Sequence, residues 1–147
     1  MTIHRVELPV PGIEELRAEA FTEGFDFIER LIKEWSSGEN RFDRQGEILC
    51  GYLDHGRVVA VGGLNRDPFV ALPDIARIRR VYVRHGWRHQ GVGRSLVTVL
   101  IEHARQNFRC VRLRADNPNA ARLYESIGFL PCSNANATHT LTLATER

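Results

Sequence analysis

The sequence predicts a single domain of the α/β (α+β) class that spans residues 1–147. The length of 147 residues is ordinary for one domain and sufficient to bury a core. Helical and strand-like apolar patterns alternate along the chain, and no repeat, low-complexity tract or linker divides it. Helices interleaved with hairpins around one sheet are therefore expected.

The first half predicts a strand, two helices and a hairpin. Apolar residues recur at helical spacing from Ile13, break at Gly24 and continue to Gly38, which predicts two consecutive helices. An Asp-Gly turn at 54–56 between apolar runs is typical of a hairpin. The predicted strands cover residues 3–8, 47–53 and 57–64, and a loop rich in glycine and proline is expected over 62–74.

The fourth predicted strand, residues 75–84, has a break in its alternation. Ile78 is followed by Val81 and Val83, so the apolar positions step by three residues and then by two. One extra residue near positions 79–80 would restore the alternation, as a β-bulge does, although a helical turn gives the same step. A bulge would leave backbone groups unpaired and splay the strand, so that a ligand could bind there.

The second half continues with helices and strands in alternation. Asn117 and Pro118 are typical of the first positions of a helix, and Gly128 of its end. The predicted elements are a helix over 91–108, a strand over 111–115, a helix over 117–128 and a last strand over 139–144.

The net charge of +2 conceals an uneven distribution. Residues 1–74 carry 8 basic and 14 acidic side chains, whereas residues 75–115, called the basic segment below, carry ten arginines and one glutamate. A basic segment usually binds an anion: a nucleic acid, a phosphate or an acidic lipid.

Composition excludes several classes of protein. No apolar run approaches the roughly 18 residues of a membrane span, and the first residues do not resemble a secretory signal. Cys50, Cys110 and Cys132 are odd in number and widely spaced, which argues against a disulfide framework or a zinc site. We therefore expect a cytoplasmic protein with free thiols, no metal and no membrane association.

A glycine-containing hexapeptide lies between the fourth strand and the following helix. Glycines let the backbone approach a ligand closely, and a helix N-terminus favours a phosphate. Arg94 after the last glycine excludes a Walker A loop, and Leu96 excludes the dinucleotide fingerprint. Alone, the motif predicts either a phosphate site or a simple tight turn. The hexapeptide is Arg88-His89-Gln90-Gly91-Val92-Gly93.

Two motifs together resemble one known family. The valine-rich strand ending at Val83, the R-x-x-G-x-G loop and the long helix resemble the acetyl-CoA-binding core of the GNAT superfamily of N-acetyltransferases. The stretch from Asn117 to Phe129 resembles the family's second signature, N-x-x-A-x-x-x-Y-x-x-x-G-F. Residues 47–130 carry the resemblance, which implies a mixed, mostly antiparallel sheet of about six to seven strands with about four helices, splayed at the fourth strand.

The resemblance implies acetyl-CoA as co-substrate and a primary amine of a small molecule or peptide as acceptor, which attacks directly through a tetrahedral intermediate. Tyr124 matches the general acid for the departing thiolate, and its alternative role is a core aromatic. Asn117 matches a contact to the pantetheine or acetyl end, and its alternative role is a helix cap. The implied acetyl-CoA-binding residues are Val81, Tyr82, Val83, Arg88, His89, Gln90, Gly91, Val92, Gly93, Arg94 and Asn117.

The acceptor side is less defined. Several relatives place a glutamate base on the fourth strand, where this chain has arginines at 77, 79 and 80. The candidates for a base are therefore Asp74, His85, Glu47 or a water molecule. Phe25 and Asp74 are candidate acceptor-binding residues. The acidic first half favours a cationic acceptor.

Two other functions remain open at this point. An acyl-CoA-sensing domain without turnover would keep the binding residues. A nucleic-acid-binding module would use the basic segment, although its arginines do not follow one strip and few aromatics accompany them for base stacking. We expect an enzyme without a nucleic-acid partner. Homodimers are common among members of the family.

Overall fold

The computed structural model describes residues 2–143, in which seven strands and four α-helices alternate. A 3-10 turn at His85–Trp87 precedes the third helix. The elements are β1 (Thr2–Arg5), α1 (Ile13–Thr22), α2 (Phe27–Ser37), β2 (Ile48–Asp54), β3 (Arg57–Arg66), β4 (Ile75–Val83), α3 (Val92–Ala104), β5 (Cys110–Leu113), α4 (Pro118–Ile127), β6 (Leu130–Pro131) and β7 (His139–Thr142).

The strands form one sheet with the order β1-β2-β3-β4-β5-β7-β6. Every pair is antiparallel except β4 and β5, which are parallel. One face of the sheet packs against α3 and Tyr124 of α4, and the other against α1 and α2. The expected mixed, mostly antiparallel sheet with four helices is confirmed.

The predicted loop over 62–74 is wrong at its start, because β3 continues through both glycines to Arg66. A Cβ atom on Gly63 would collide with the ring of buried Phe42, and one on Gly62 would lie 3.2 Å from Leu96 and Leu100 of α3. Glycine here permits close packing on both faces rather than a turn.

Several predicted boundaries also shift. The first strand ends at Arg5 instead of residue 8, and α3 ends at Ala104 instead of residue 108. The last strand ends at Thr142, and Ala144, its predicted end, lies outside the described residues. The two-residue β6 was not predicted, because a strand that short has no detectable alternation.

The predicted bulge in β4 is confirmed by the register of β3 and β4. Val61 lies opposite Tyr82 and Gly63 lies opposite Arg79, so three steps along β4 match two along β3. Arg80 has φ of +60°, a left-handed conformation that is uncommon outside glycine. The bulge turns Val81 and Val83 to the α3 face, and Tyr82 to the face covered by α1 and α2.

The sheet is splayed beyond the bulge, as expected. β5 pairs with β4 only at positions 75–77, and β4 continues to Val83 without that neighbour. The opening between the two strands is called the wedge below. Among residues 2–143, no helix combines the length and the apolar character needed to cross a bilayer.

Candidate active site

The wedge exposes backbone groups of β4 that have no strand partner. The N–H of Arg84 donates to the carbonyl of Val59 at 3.0 Å, and Tyr82 lies opposite Val61. Because alternate residues of an antiparallel strand bond to the same neighbour, Val81 and Val83 direct their backbone groups into the wedge. The Val83 carbonyl accepts from Nε of Arg88 at 2.8 Å. An extended ligand could pair with the remaining groups.

The hexapeptide forms a tight turn that leads into α3. His89 and Gly91 have φ of +62° and +81°, and an added Cβ on Gly91 would meet nothing within 4 Å. No side chain caps the N-terminus of the 13-residue helix. Its first N–H groups and its positive dipole end are therefore available to a phosphate. Buried Val92 anchors the turn in the core.

The side chains around this turn differ in what they contact. Arg88 bonds to Glu23, the residue that follows α1, at 2.6 Å and lies over the Tyr82 ring at 5.3 Å, so its charge is already paired. Arg94 is exposed and donates to Oγ of Ser126 at 2.5 Å. Gln90 donates to the Gly86 carbonyl. Of the two arginines expected near the phosphates, Arg94 is thus the one whose charge no carboxylate of residues 2–143 neutralises.

Tyr82 does not face the wedge. Its hydroxyl lies 2.8 Å from Oε2 of Glu19 and 2.6 Å from Oε1 of Glu23. Burial and these two bonds raise the pKa of the Tyr82 phenol. The side chain of Tyr82 therefore connects the end of α1 to β4 and does not reach a ligand in the wedge.

Tyr124 and Asn117 lie on α4. Asn117 caps the helix, accepting the N–H of Ala120 at 2.8 Å. The Tyr124 ring is 7% exposed and packs edge-on against Phe129 at 5.8 Å. Burial raises the pKa of the Tyr124 phenol, and the charge of Asp116 adds to the shift. The hydroxyl therefore stays protonated at neutral pH, the form that a general acid requires.

A cavity of about 250 Å³ lies beside the bulge, on the face covered by α2. Several of its residues, such as Arg77, Arg79 and Arg80, stand out in the sequence, but no role in a cavity was predicted for them. The position of the others depends on tertiary packing, which the sequence does not show. The lining residues are Phe27, Arg30, Phe69, Arg77, Ile78, Arg79, Arg80, Val81, Arg114 and Asp116.

The two acceptor candidates from the sequence are not part of this lining. Phe25 packs on Phe27 with ring centroids 5.4 Å apart, and Phe27 is the ring that reaches the cavity. Asp74 lies at the opposite end of β4, about 20 Å along the strand from Val81. It forms an ion pair with Arg109 at 2.5 Å.

The other candidate bases are not part of the cavity lining. Buried Glu47 accepts the N–H groups of Arg44 and Arg66, which fixes the loop before β2. His85 is exposed at the 3-10 turn, where its backbone N–H donates to Glu19. Asp116, which the sequence analysis did not consider, is the carboxylate in the cavity lining. Burial raises the pKa of Asp116, although Arg114 and Arg30 oppose the shift.

The uneven charge distribution is balanced in space. Six of the ten arginines in the basic segment form ion pairs with carboxylates of residues 1–74. These ion pairs account for much of the positive charge of the basic segment and of the negative charge of the first half. The pairs are Arg77 and Arg112 with Asp67, Arg80 with Glu34, Arg84 with Glu19, Arg88 with Glu23, and Arg109 with Asp74.

Comparison with known proteins agrees with this geometry. The model of the acetyltransferase (GNAT) family matches residues 10–129. A protein of Exiguobacterium sp. 255-15 described as an acetyltransferase is 28% identical with a TM-score of 0.86, over 96% of this chain and 92% of that chain.

Two more distant structures share the fold. One, from Klebsiella pneumoniae subsp. pneumoniae and described as an acyl-CoA N-acyltransferase, is 22% identical with a TM-score of 0.68, over 97% of each chain. The ribosomal-protein-S18-alanine N-acetyltransferase of Escherichia coli is 19% identical with a TM-score of 0.65, over 99% of this chain and 96% of that chain. Because the family model spans most of the sequence and the fold agrees, this chain belongs to the GNAT family of acetyltransferases.

Proposed function

We propose that the protein transfers the acetyl group of acetyl-CoA to a primary amine of a small molecule or peptide. The observation that carries the proposal is the wedge, where Val81 and Val83 offer backbone groups to an extended ligand. The pantetheine arm of acetyl-CoA is a chain of amides that can add to such an edge as a further strand would.

The residues at the start of α3 support the same co-substrate. The N–H groups after His89 and the helix dipole would hold the pyrophosphate, with the charge of exposed Arg94 beside them. In such a complex the phosphates would lie at one end of the wedge and the thioester near the bulge. Asn117 caps α4 and would help to fix the helix that carries Tyr124.

The transfer would proceed by direct attack. The neutral amine forms a bond to the thioester carbon, and a backbone N–H near the bulge at Arg80 would stabilise the tetrahedral oxyanion. The carbon–sulfur bond then breaks, and Tyr124 gives its proton to the departing thiolate. The proton lost by the amine nitrogen restores the phenol.

Release of free coenzyme A thiol tests the proposal. Thiol should appear only when both acetyl-CoA and an accepted amine are present, and mass spectrometry should find the acceptor heavier by one acetyl group. Binding of acetyl-CoA without thiol release for any acceptor would instead indicate a sensing domain. Failure to bind acetyl-CoA would refute the proposal.

The nucleic-acid alternative is weakened by the ion pairs of the basic segment. Six of its arginines are neutralised by carboxylates and would have to exchange those partners for phosphates. Retention of labelled single-stranded or duplex DNA on a filter at 50 mM salt would nonetheless revive it, since such binding is strongest at low salt.

A further inference from the structure

The cavity beside the bulge is lined by more positive charge than the reaction with acetyl-CoA needs. Five arginines and one carboxylate, Asp116, line it. Their ion-pair partners lie outside the lining: Asp26 for Arg30, Asp67 for Arg77 and Glu34 for Arg80. The cavity arginines are Arg30, Arg77, Arg79, Arg80 and Arg114.

Several cavity arginines retain bonding capacity. The side chains of Arg77 and Arg80 are 8% and 7% exposed, and Nε of Arg80 lacks a hydrogen-bond partner within residues 2–143. Among the same residues, Nη1 of Arg77 has only its ion-pair partner, Oδ2 of Asp67, at 3.5 Å. Arg79 and Arg114 form no ion pair in that part of the chain, and Asp67 is shared between Arg77 and Arg112. Buried donors without partners are costly, which favours a ligand that supplies acceptor oxygens.

Acetyl-CoA itself does not account for these arginines. Ala76 and Ile78 pack in the core on the α3 side, so by strand alternation Arg77 and Arg79 project to the opposite face, towards α2. The phosphates of coenzyme A would lie at the N-terminus of α3, on the other face, and the acetyl-pantetheine end near the bulge carries no charge. The charges of Arg79 and Arg114, which no carboxylate of residues 2–143 neutralises, are therefore available to the second substrate.

We infer that the acceptor is a small amine that carries its own anionic group, a carboxylate or a phosphate, which the cavity arginines bind while Asp116 faces the amine. This inference rests on the proposed acetyl transfer and specifies its acceptor. It replaces the cationic acceptor that the sequence favours, because the acidic residues of the first half are largely paired internally.

The size and the charge pattern of the cavity fit such a molecule. Its volume of about 250 Å³ lies below the roughly 300–1,000 Å³ of sites for drug-sized ligands. An amino acid, an aminoalkyl phosphonate or the terminal residue of a peptide is of suitable size. Burial lowers the pKa of Arg79 because it destabilises the charged guanidinium, and a bound anion would offset this destabilisation.

Asp116 would prepare the amine for attack. The ammonium group gives one proton to the Asp116 carboxylate, which passes it to solvent, and the neutral nitrogen then forms the bond to the thioester carbon. After Tyr124 has protonated the thiolate, the nitrogen loses its second proton to the Tyr124 phenolate. Partial desolvation raises the pKa of Asp116, which makes this carboxylate a stronger base than one fully surrounded by water.

Matched acceptor pairs test the inference. The panel consists of the amino acids and their amides, aminoalkyl phosphonates with the corresponding alkylamines, dipeptides with free and amidated ends, and spermidine as the cationic arm. We expect kcat/KM for the anionic member to exceed that of its neutral partner by about 10- to 100-fold, the range of one charge-assisted hydrogen bond. The carboxylate and phosphonate pairs distinguish the two sources of the anion.

A variant links the preference to the cavity. Arg79→Gln should raise KM for the anionic acceptor by about tenfold and leave both the Kd for acetyl-CoA and the KM for the neutral partner unchanged. Within residues 2–143 Arg79 has no ion pair to lose, so folding should be preserved, which circular dichroism and Tm check. Arg105→Gln, which breaks an exposed pair with Glu102 on α3, is the control and should behave as the wild type.

The outcomes separate the two claims. Acetyl-CoA binding with a preference for spermidine or for the neutral members overturns the inference and leaves acetyl transfer standing. If acetyl-CoA binds but no anionic acceptor is acetylated, the inference is also overturned. No acetyl-CoA binding at all refutes the proposed function instead.

Discussion

Replacing Tyr124 with phenylalanine isolates the role of one hydroxyl group. The ring lies in the core against Phe129, and no residue in the described part of the chain bonds to its hydroxyl. Phenylalanine keeps the ring packing, so the free energy of unfolding should change by less than about 1 kcal/mol. The Kd for acetyl-CoA should stay within about threefold, since binding depends on backbone groups of β4 and α3.

The rate of transfer should fall much further. Loss of a positioned proton donor typically costs about 100- to 10,000-fold, or roughly 3–5 kcal/mol of barrier, and the loss should appear in kcat. Tyr52→Phe is the matched control, because Tyr52 is a partly buried tyrosine of β2, outside the wedge. Steady-state thiol release by the two variants and the wild type measures the effect.

The pH dependence adds a second readout. Burial raises the pKa of Tyr124 above the usual value near 10, so the acid form persists as pH rises through 7 to 9.5. In the wild type kcat should therefore show no decline over that range. A Tyr124→Phe enzyme with normal kcat at every pH would refute the assignment of the acid.

Three further predictions concern packing, acid stability and the base. Gly63→Ala should destabilise the fold by about 1–3 kcal/mol in urea unfolding, since its Cβ collides with buried Phe42; Gly86→Ala, with nothing within 4 Å, is the control, and equal midpoints would contradict the packing account. Hydrogen bonds from Arg88 lower the pKa of Glu23, so this group's contribution is complete above its unfolded value near 4.5 and is lost as pH falls through the lowered pKa. In unfolding measured from pH 6 to 3, Glu23→Gln should reduce the loss of stability at acidic pH, whereas exposed Glu39→Gln should not. An unchanged loss of stability in the Glu23→Gln variant would contradict this account. Asp116→Asn should lower kcat/KM for the acceptor about 100-fold without changing the Kd for acetyl-CoA, and a wild-type rate would exclude Asp116 as the base.

The backbone of the site was predictable because its signals are local. The step of three between Ile78 and Val81 records the bulge, and Asn117 with Pro118 records the start of α4. By contrast, Gly62 and Gly63 suggested a loop, because the sequence does not show Phe42 and α3 pressing on either face of β3.

The side-chain constellation of the cavity was not predictable in the same way. Phe27, Phe69 and Asp116 come from three separated segments, and their convergence depends on how α2 packs over the splayed strand. The charge split was visible in the sequence, but the pairing of Glu19, Glu23 and Glu34 with arginines of the basic segment appears only in three dimensions. The net charge of the basic segment therefore overestimated how much of its surface is available to bind anions.

Amide hydrogen exchange with residue resolution tests most directly whether acetyl-CoA binds along the wedge. Within residues 2–143 the N–H groups of Val81 and Val83 donate to no neighbouring strand, whereas that of Tyr82 points to β3. With acetyl-CoA present, the amides of Val81 and Val83 should gain at least about tenfold protection beyond any uniform gain, and Tyr82 should show no such excess. Binding of acetyl-CoA that leaves Val81 and Val83 unprotected would contradict the account.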